Sequence, residues 1–187
     1  MRRRAFLATA AAVSVAGCSE SRSDPGGGTG QGTSLALDAT PFDDGGTIPP
    51  RYTCDGGDTN PELTISGVVD EAETLAIVVE DLDAGEYVHW TLWNVPASTE
   101  TIPRSVAKGE QPPFAEGARQ GENDAGGIGY VGPCPPAADE PHSYRFRLSA
   151  VSTTLALAAG ASRNELADAL SGNVIDSVSL TAQYGRD

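Results

Sequence analysis

Gly129 to Tyr144 reads GYVGPCPPAADEPHSY, with four prolines, glycines at 129 and 132, Cys134 between prolines, and His142 two residues before Tyr144. Proline fixes φ and has no N–H to donate, so Pro133, Pro135 and Pro136 exclude a central strand and describe a stiff, extended loop. The pattern then turns to alternation. His142, Tyr144, Phe146 and Leu148 fall on one side, and Ser143, Arg145, Arg147 and Ser149 on the other. A period of two predicts a strand with one buried face, whose first inward side chains are His142 and Tyr144. Two earlier stretches match it. Leu75 to Asp81 reads LAIVVED, a short apolar run that predicts a buried strand with Asp81 in phase with Leu75, Ile77 and Val79. Tyr87 to Val95 reads YVHWTLWNV, aromatic and β-branched, and stops at Pro96; strict alternation puts His89 with Tyr87, Thr91 and Trp93. Both histidines of the chain lie in these stretches, and the rigid loop feeding His142 and Tyr144 makes a plausible wall for a small pocket, with polar tips on an apolar scaffold.

The chain has 187 residues, enough for one domain with a real core. It carries 26 Asp and Glu against 12 Lys and Arg, a formal net charge of −14, and Lys108 is its one lysine. A surface this acidic cannot neutralise a row of phosphates, which argues against nucleic acid as a partner. Residues 1–17 read as a twin-arginine lipoprotein signal peptide: Arg3-Arg4-Ala5-Phe6-Leu7, a short apolar run, then Val15-Ala16-Gly17-Cys18. Cleavage before Cys18 would leave a lipid on its sulfur and place the protein outside the cytoplasm, anchored to the outer face of the cell membrane. Residues 18–34 are the lipidated cysteine and a Gly/Ser-rich linker with almost no apolar side chains. The domain is expected over 35–187.

Within it, Leu35-Ala36-Leu37 and Leu63-Thr64-Ile65 are short strand candidates, and Ile48 to Asn60 is a loop holding Cys54. Pro96 to Gly129 is rich in Gly, Pro, Glu and Asp and predicts a long irregular segment, of the kind that is functional or poorly ordered. Ser162-Arg163-Asn164-Glu165 is a capping box opening a helix, with Leu166, Ala169 and Leu170 as its apolar stripe and Gly172 suited to the position after its end. Val174 to Tyr184 returns to strand. The result is a mainly β chain with one short helix near the C-terminus.

VEDLDAGEYVHWTLWNVP followed by GYVGPCPPAADEPHSYRFRLSAV resembles the phosphatidylethanolamine-binding protein family, in its bacterial and archaeal Raf kinase inhibitor-like branch. IPPRYTCDGGDTNPEL (Ile48 to Leu63) and GEND (Gly121 to Asp124) extend the resemblance over nearly all of the expected domain. It implies two antiparallel sheets packed as a β-sandwich. It also implies that Asp81, His89, His142 and Tyr144 converge on one pocket, with Asp83 and the Gly132, Pro133, Cys134, Pro135, Pro136 loop at its rim. Cys54 and Cys134 would come to the same rim, either joined as a disulfide, which an extracytoplasmic location permits, or as two buried thiols; the disulfide is expected. Leu82 and Gly85 stand where the family usually has prolines, which predicts a looser turn after Asp81.

Imidazoles, a phenol and backbone N–H groups near Gly132 and Cys134 are hydrogen-bond donors that suit a phosphate or carboxylate oxygen. Two histidines and an aspartate could instead hold zinc, but their spacing carries no metal signature. No G-x-S-x-G elbow or phosphate-cradling nucleotide loop is present, so hydrolase and kinase chemistry lack their motifs. The expectation is a membrane-tethered, non-catalytic binding module, without a cofactor, for a small anion or phosphorylated head group. A second possibility is a regulator of an exported protein, such as a protease inhibitor, using Pro96 to Gly129 as its contact surface; a cytoplasmic kinase would be out of reach of an exported lipoprotein. The charge further predicts adaptation to a salt-rich environment, because self-repulsion fades when the screening length falls to about 3 Å near 1 M salt. The melting temperature should therefore rise with salt, and a melting curve no lower in dilute buffer would overturn this.

Overall fold

A computed structural model describes residues 34–186. The expected signal peptide, Cys18 and nearly all of the linker lie outside the described residues. Eight strands and one α-helix follow in order, with a short 3-10 turn (Pro50–Tyr52) after the first: β1 (Ala36–Ala39), β2 (Leu63–Ser66), β3 (Thr74–Asp81), β4 (Tyr87–Pro96), β5 (Thr101–Ile102), β6 (Arg119–Gln120), β7 (His142–Val151), α1 (Arg163–Leu170) and β8 (Val174–Tyr184). One sheet has the order β1-β2-β5, the other β6-β4-β3-β7-β8, and every pairing is antiparallel. Leu37, Ile65 and Ile102 of the small sheet share one core with Leu75, Ile77, Val79, Trp90, Leu92, Phe146 and Leu148 of the large one. This is the expected two-sheet sandwich.

β3 is apolar on both faces because both are covered. Its inward residues Leu75, Ile77 and Val79 join the main core. Outward, Ala76 packs with Trp93, Val151, Leu155, Ala161 and Leu166, beneath α1. The helix starts where its capping box forms: the Ser162 N–H donates to Glu165 Oε2 at 2.9 Å, and Glu165 N–H to Ser162 Oγ at 3.4 Å. It buries Leu166, worth roughly 2 kcal/mol in transferred apolar area, and ends before Gly172 at φ 78°.

The segment from Pro96 to Gly129 departs from its expected irregularity. It contains β5 and β6, each two residues long and therefore too short to show a period. The segment is also stitched to the body. Gln120 accepts from Trp90 Nε1 at 2.7 Å and donates to the carbonyls of Ala107 and Gly109. The Asn60 amide nitrogen donates to the Pro103 carbonyl and its oxygen accepts from Val106 N–H. The edge strand β8 is shielded at its C-terminal half, where Gly45, Gly46, Ile48 and Asp44 exchange four hydrogen bonds with Thr181 and Gln183.

Cys54 and Cys134 form a disulfide, with Cα atoms 5.4 Å apart and a sequence separation of 80. Closing a loop of that length stabilises the fold by about 4 kcal/mol in the chain-entropy picture. Alkylation of denatured, unreduced protein should leave Cys54 and Cys134 unlabelled, and replacing both by serine should cost up to about 4 kcal/mol in denaturant unfolding. Two labelled thiols, or unchanged stability, would contradict the cross-link.

Candidate functional site

The site is built at the end of β3. Asp81 stands in register with Tyr87 on one side and Tyr144 on the other. Its Oδ1 accepts the N–H groups of Asp83 at 2.9 Å and Ala84 at 3.1 Å, and its Oδ2 meets His142 Nδ1 at 2.7 Å. The turn after Asp81 is thus closed by the aspartate side chain rather than by proline, and Gly85 and Glu86 follow at φ 68° and 60°. Asp83 completes the closure: its Oδ2 accepts the N–H of Ser143 at 2.6 Å, pinning the turn to the start of β7. Asp83 is therefore scaffold and does not line the cavity, in contrast to its expected place at the rim.

His89 is positioned by an irregularity that alternation cannot show. The pairing of β4 with β3 steps from Glu80–Val88 to Val79–Trp90, leaving His89 as the extra residue of a β-bulge. A second step lies between Leu92 and Val95, where Asn94 adopts φ 55° and exchanges two hydrogen bonds with Leu155. As a result Trp90, Leu92 and Val95 face the main core while Trp93 packs on the outer face. The expected phase of His89 with Thr91 and Trp93 is corrected accordingly. The bulge is held from outside by Asp124, whose Oδ2 accepts Val88 N–H at 2.7 Å and whose own N–H donates to the Val88 carbonyl at 3.0 Å. The GEND stretch is structural in this sense. Its Asn123 side chain also bonds three backbone groups between Ala125 and Gly129, and at Gly121 any Cβ would lie 2.3 Å from the Ala161 carbonyl.

The proline loop forms the opposite wall. Val131 N–H donates to the His89 carbonyl at 2.9 Å, and the Val131 carbonyl accepts from His89 Nδ1 at 2.8 Å. Gly132 lies so close to Tyr52 and Thr53 that a Cβ would sit 2.7 Å from the Thr53 Cα, so a side chain there would force the loops apart. Its N–H, expected to face a ligand, is bonded to Asp58 Oδ1 instead. Pro133 faces inward as well, and its carbonyl accepts Cys54 N–H at 3.1 Å.

These walls enclose a cavity of about 240 Å³. Asp81, His89, Gly132, Cys134, Pro135, Pro136 and His142 line it, joined by Ala84, Tyr87 and Val131, which were not expected. Tyr87 was legible as a neighbour in phase with His89; Ala84 and Val131 carry no side-chain signal. Pro133, Asp83 and Tyr144 do not line it. Tyr144 supports the two imidazoles from behind, edge-on to His89 with ring centres 5.3 Å apart and stacked on His142 at 6.4 Å. No hydrogen bond of good geometry reaches its buried hydroxyl, although the Asp81 carboxylate is close. Burial first, and then Asp81, push its pKa far above the ordinary phenol value.

The hydrogen bonds fix both tautomers. A carbonyl and a carboxylate only accept, so His89 and His142 carry their protons on Nδ1, and each neutral ring is left with Nε2 as an acceptor. Burial holds the His89 pKa below its usual value, against the opposing pull of the Val131 carbonyl and of Asp81, Asp124 and Asp58. No group of three or more His, Cys, Asp or Glu among the described residues is arranged to hold a metal ion. A larger groove lies on the outer face of the five-stranded sheet, but it contains no histidine.

A two-sheet antiparallel sandwich with this pocket at one end of its central strands defines the class of fold, and comparison with known proteins is specific. Residues 38–185 match the family model described as phosphatidylethanolamine-binding protein. The UPF0098 protein PH1269 of Pyrococcus horikoshii is 45% identical over 141 residues, covering 74% of this chain and 71% of that one. The crystal structure of Escherichia coli YbcL, described as a new member of the mammalian PEBP family, superimposes with a TM-score of 0.75 at 30% identity, covering 82% of this chain and 99% of YbcL. The Chlamydia trachomatis homolog CT736 gives 0.72 at 32% identity, over 83% and 99% of the two chains. The chain belongs to the phosphatidylethanolamine-binding protein family.

Proposed function

We propose that the protein is a non-catalytic binding module whose histidine pocket takes the anionic group of a small phosphorylated ligand or head group. The observation that carries this is a pair of imidazoles, each anchored through Nδ1 on an obligate acceptor, in one small cavity. Neutral, the two rings offer an anion lone pairs rather than donors. Binding must therefore bring a proton, either onto an Nε2 or as a hydroxyl of the phosphoryl group. The volume suits a phosphoryl group with a short substituent rather than a whole lipid. No serine, threonine or free cysteine stands in the lining, since Cys134 is tied up in the disulfide. Through a lipid on Cys18, the module would sit at the outer face of the cell membrane.

Two outcomes follow. In the unliganded protein the His89 pKa is depressed, so the unfolded chain binds a proton that the folded one refuses. Stability is then complete above the unfolded value of about 6.5 and declines as pH falls below it. A bound anion reverses this preference. The thermal shift given by phosphate or phosphoethanolamine should be larger at pH 6 than at pH 8, reaching about 2.7 kcal/mol at a hundredfold excess over Kd. It should vanish in His142→Ala. No shift at either pH would remove the anion-binding reading and redirect the search to exported protein partners. Separately, Cys18→Ser should move the protein from the membrane to the soluble fraction, and an unchanged distribution would refute the lipid anchor.

A further inference from the structure

The outer face of the large sheet carries side chains that the histidine pocket does not use. Because β3 alternates, Asp81 faces the pocket while its neighbour Glu80 faces α1. Glu80 is 1% exposed and fully matched: Arg145 binds one carboxylate oxygen, and Arg163 binds the other through Nε at 3.0 Å and Nη2 at 2.8 Å. Burial pulls the Glu80 pKa up, but these guanidinium hydrogen bonds outweigh it and hold the group ionised. Beside the network runs an open groove of about 440 Å³ between α1 and β8. Its floor and walls include Val78, Leu166 and Leu170, and Val174, 41% exposed, forms a lip.

One charge in the groove is unmatched. Arg147 lines it, is exposed, and makes no ion pair or side-chain hydrogen bond with any described residue, in a chain where acidic groups outnumber basic ones by 26 to 12. Arg163 lies at the same side with its Nη1 unengaged among the described residues. Glu80 and the exposed Glu86 share the guanidiniums of Arg145 and Arg163, so two fixed positive charges balance the two carboxylates of this network.

We infer that this groove is a second ligand site, and that it takes an amphiphilic carboxylate, with the alkyl chain over Val78, Leu166, Leu170 and Val174 and the carboxylate on Arg147. A planar guanidinium fork matches two carboxylate oxygens, and the apolar floor distinguishes an alkyl carboxylate from a small polar anion. The site is independent of the histidine pocket, since side chains of adjacent β3 residues point to opposite faces.

Calorimetric titration of the purified protein with octanoate, octylamine and acetate tests the assignment. Octanoate is expected to bind, and octylamine and acetate are not. Arg147→Gln should weaken octanoate about tenfold, the scale of one lost charge-assisted contact, while His142→Ala leaves it unchanged. Absence of octanoate binding, equal binding of octylamine, or indifference to Arg147→Gln would overturn the site. Loss of binding in His142→Ala would place the carboxylate in the histidine pocket and overturn it as well. Leu170→Asp, at a half-buried position packed against the cluster beneath α1, gives a second variant in which octanoate binding should be lost with folding monitored by circular dichroism; a folded variant that binds normally would also refute it.

Discussion

A single carboxylate sets the geometry at the end of the central strands. Asp81 is almost fully buried, and three donors share its two oxygens: two amides from its own turn and one imidazole from β7. Hydrogen bonds to a charged group contribute about 1.5–3 kcal/mol each, and orphaning a buried donor costs a similar amount. The same atom pair that closes the β3–β4 turn therefore also fixes the ring plane and tautomer of His142. β3 is paired on both sides, so any shift of its last residue would be transmitted to Tyr87 and Tyr144 together. The pocket's polar groups are thus tied into the turn and loop hydrogen bonds that close this end of the sheet.

Two buried carboxylates, adjacent in sequence, show two ways of keeping such a charge. Asp81 relies on backbone amides and an imidazole; Glu80 relies on two arginines drawn from β7 and from the first position of α1. Arginine is always charged, so both partners of Glu80 keep their charge at ordinary pH.

Much of this was legible in the sequence because regular periods produced it. The alternation from His142 to Leu148, the apolar run of β3 and the Ser162–Glu165 box translate directly into observed elements. What escaped was set by partners far away in the chain. β5 and β6 exist only because β2 and β4 pair with them. Asp83 reads as a rim carboxylate until the Ser143 amide is seen to occupy it, and the Gly132 N–H reads as free until Asp58 is found beside it. His89 lines the cavity but with other companions than alternation gives, because a bulge leaves no mark on the residue that forms it.

That bulge separates the fold from the site. Val88 and Trp90 pair with consecutive residues of β3, so the sheet does not need the residue between them. A chain shortened there by one position would keep every rung of the ladder and lose an imidazole. Within such a lineage, overall similarity of the sandwich would persist after the pocket's chemistry had gone. The count of residues between Asp81 of β3 and Trp90 of β4, more than the degree of resemblance, marks which sandwiches keep this imidazole.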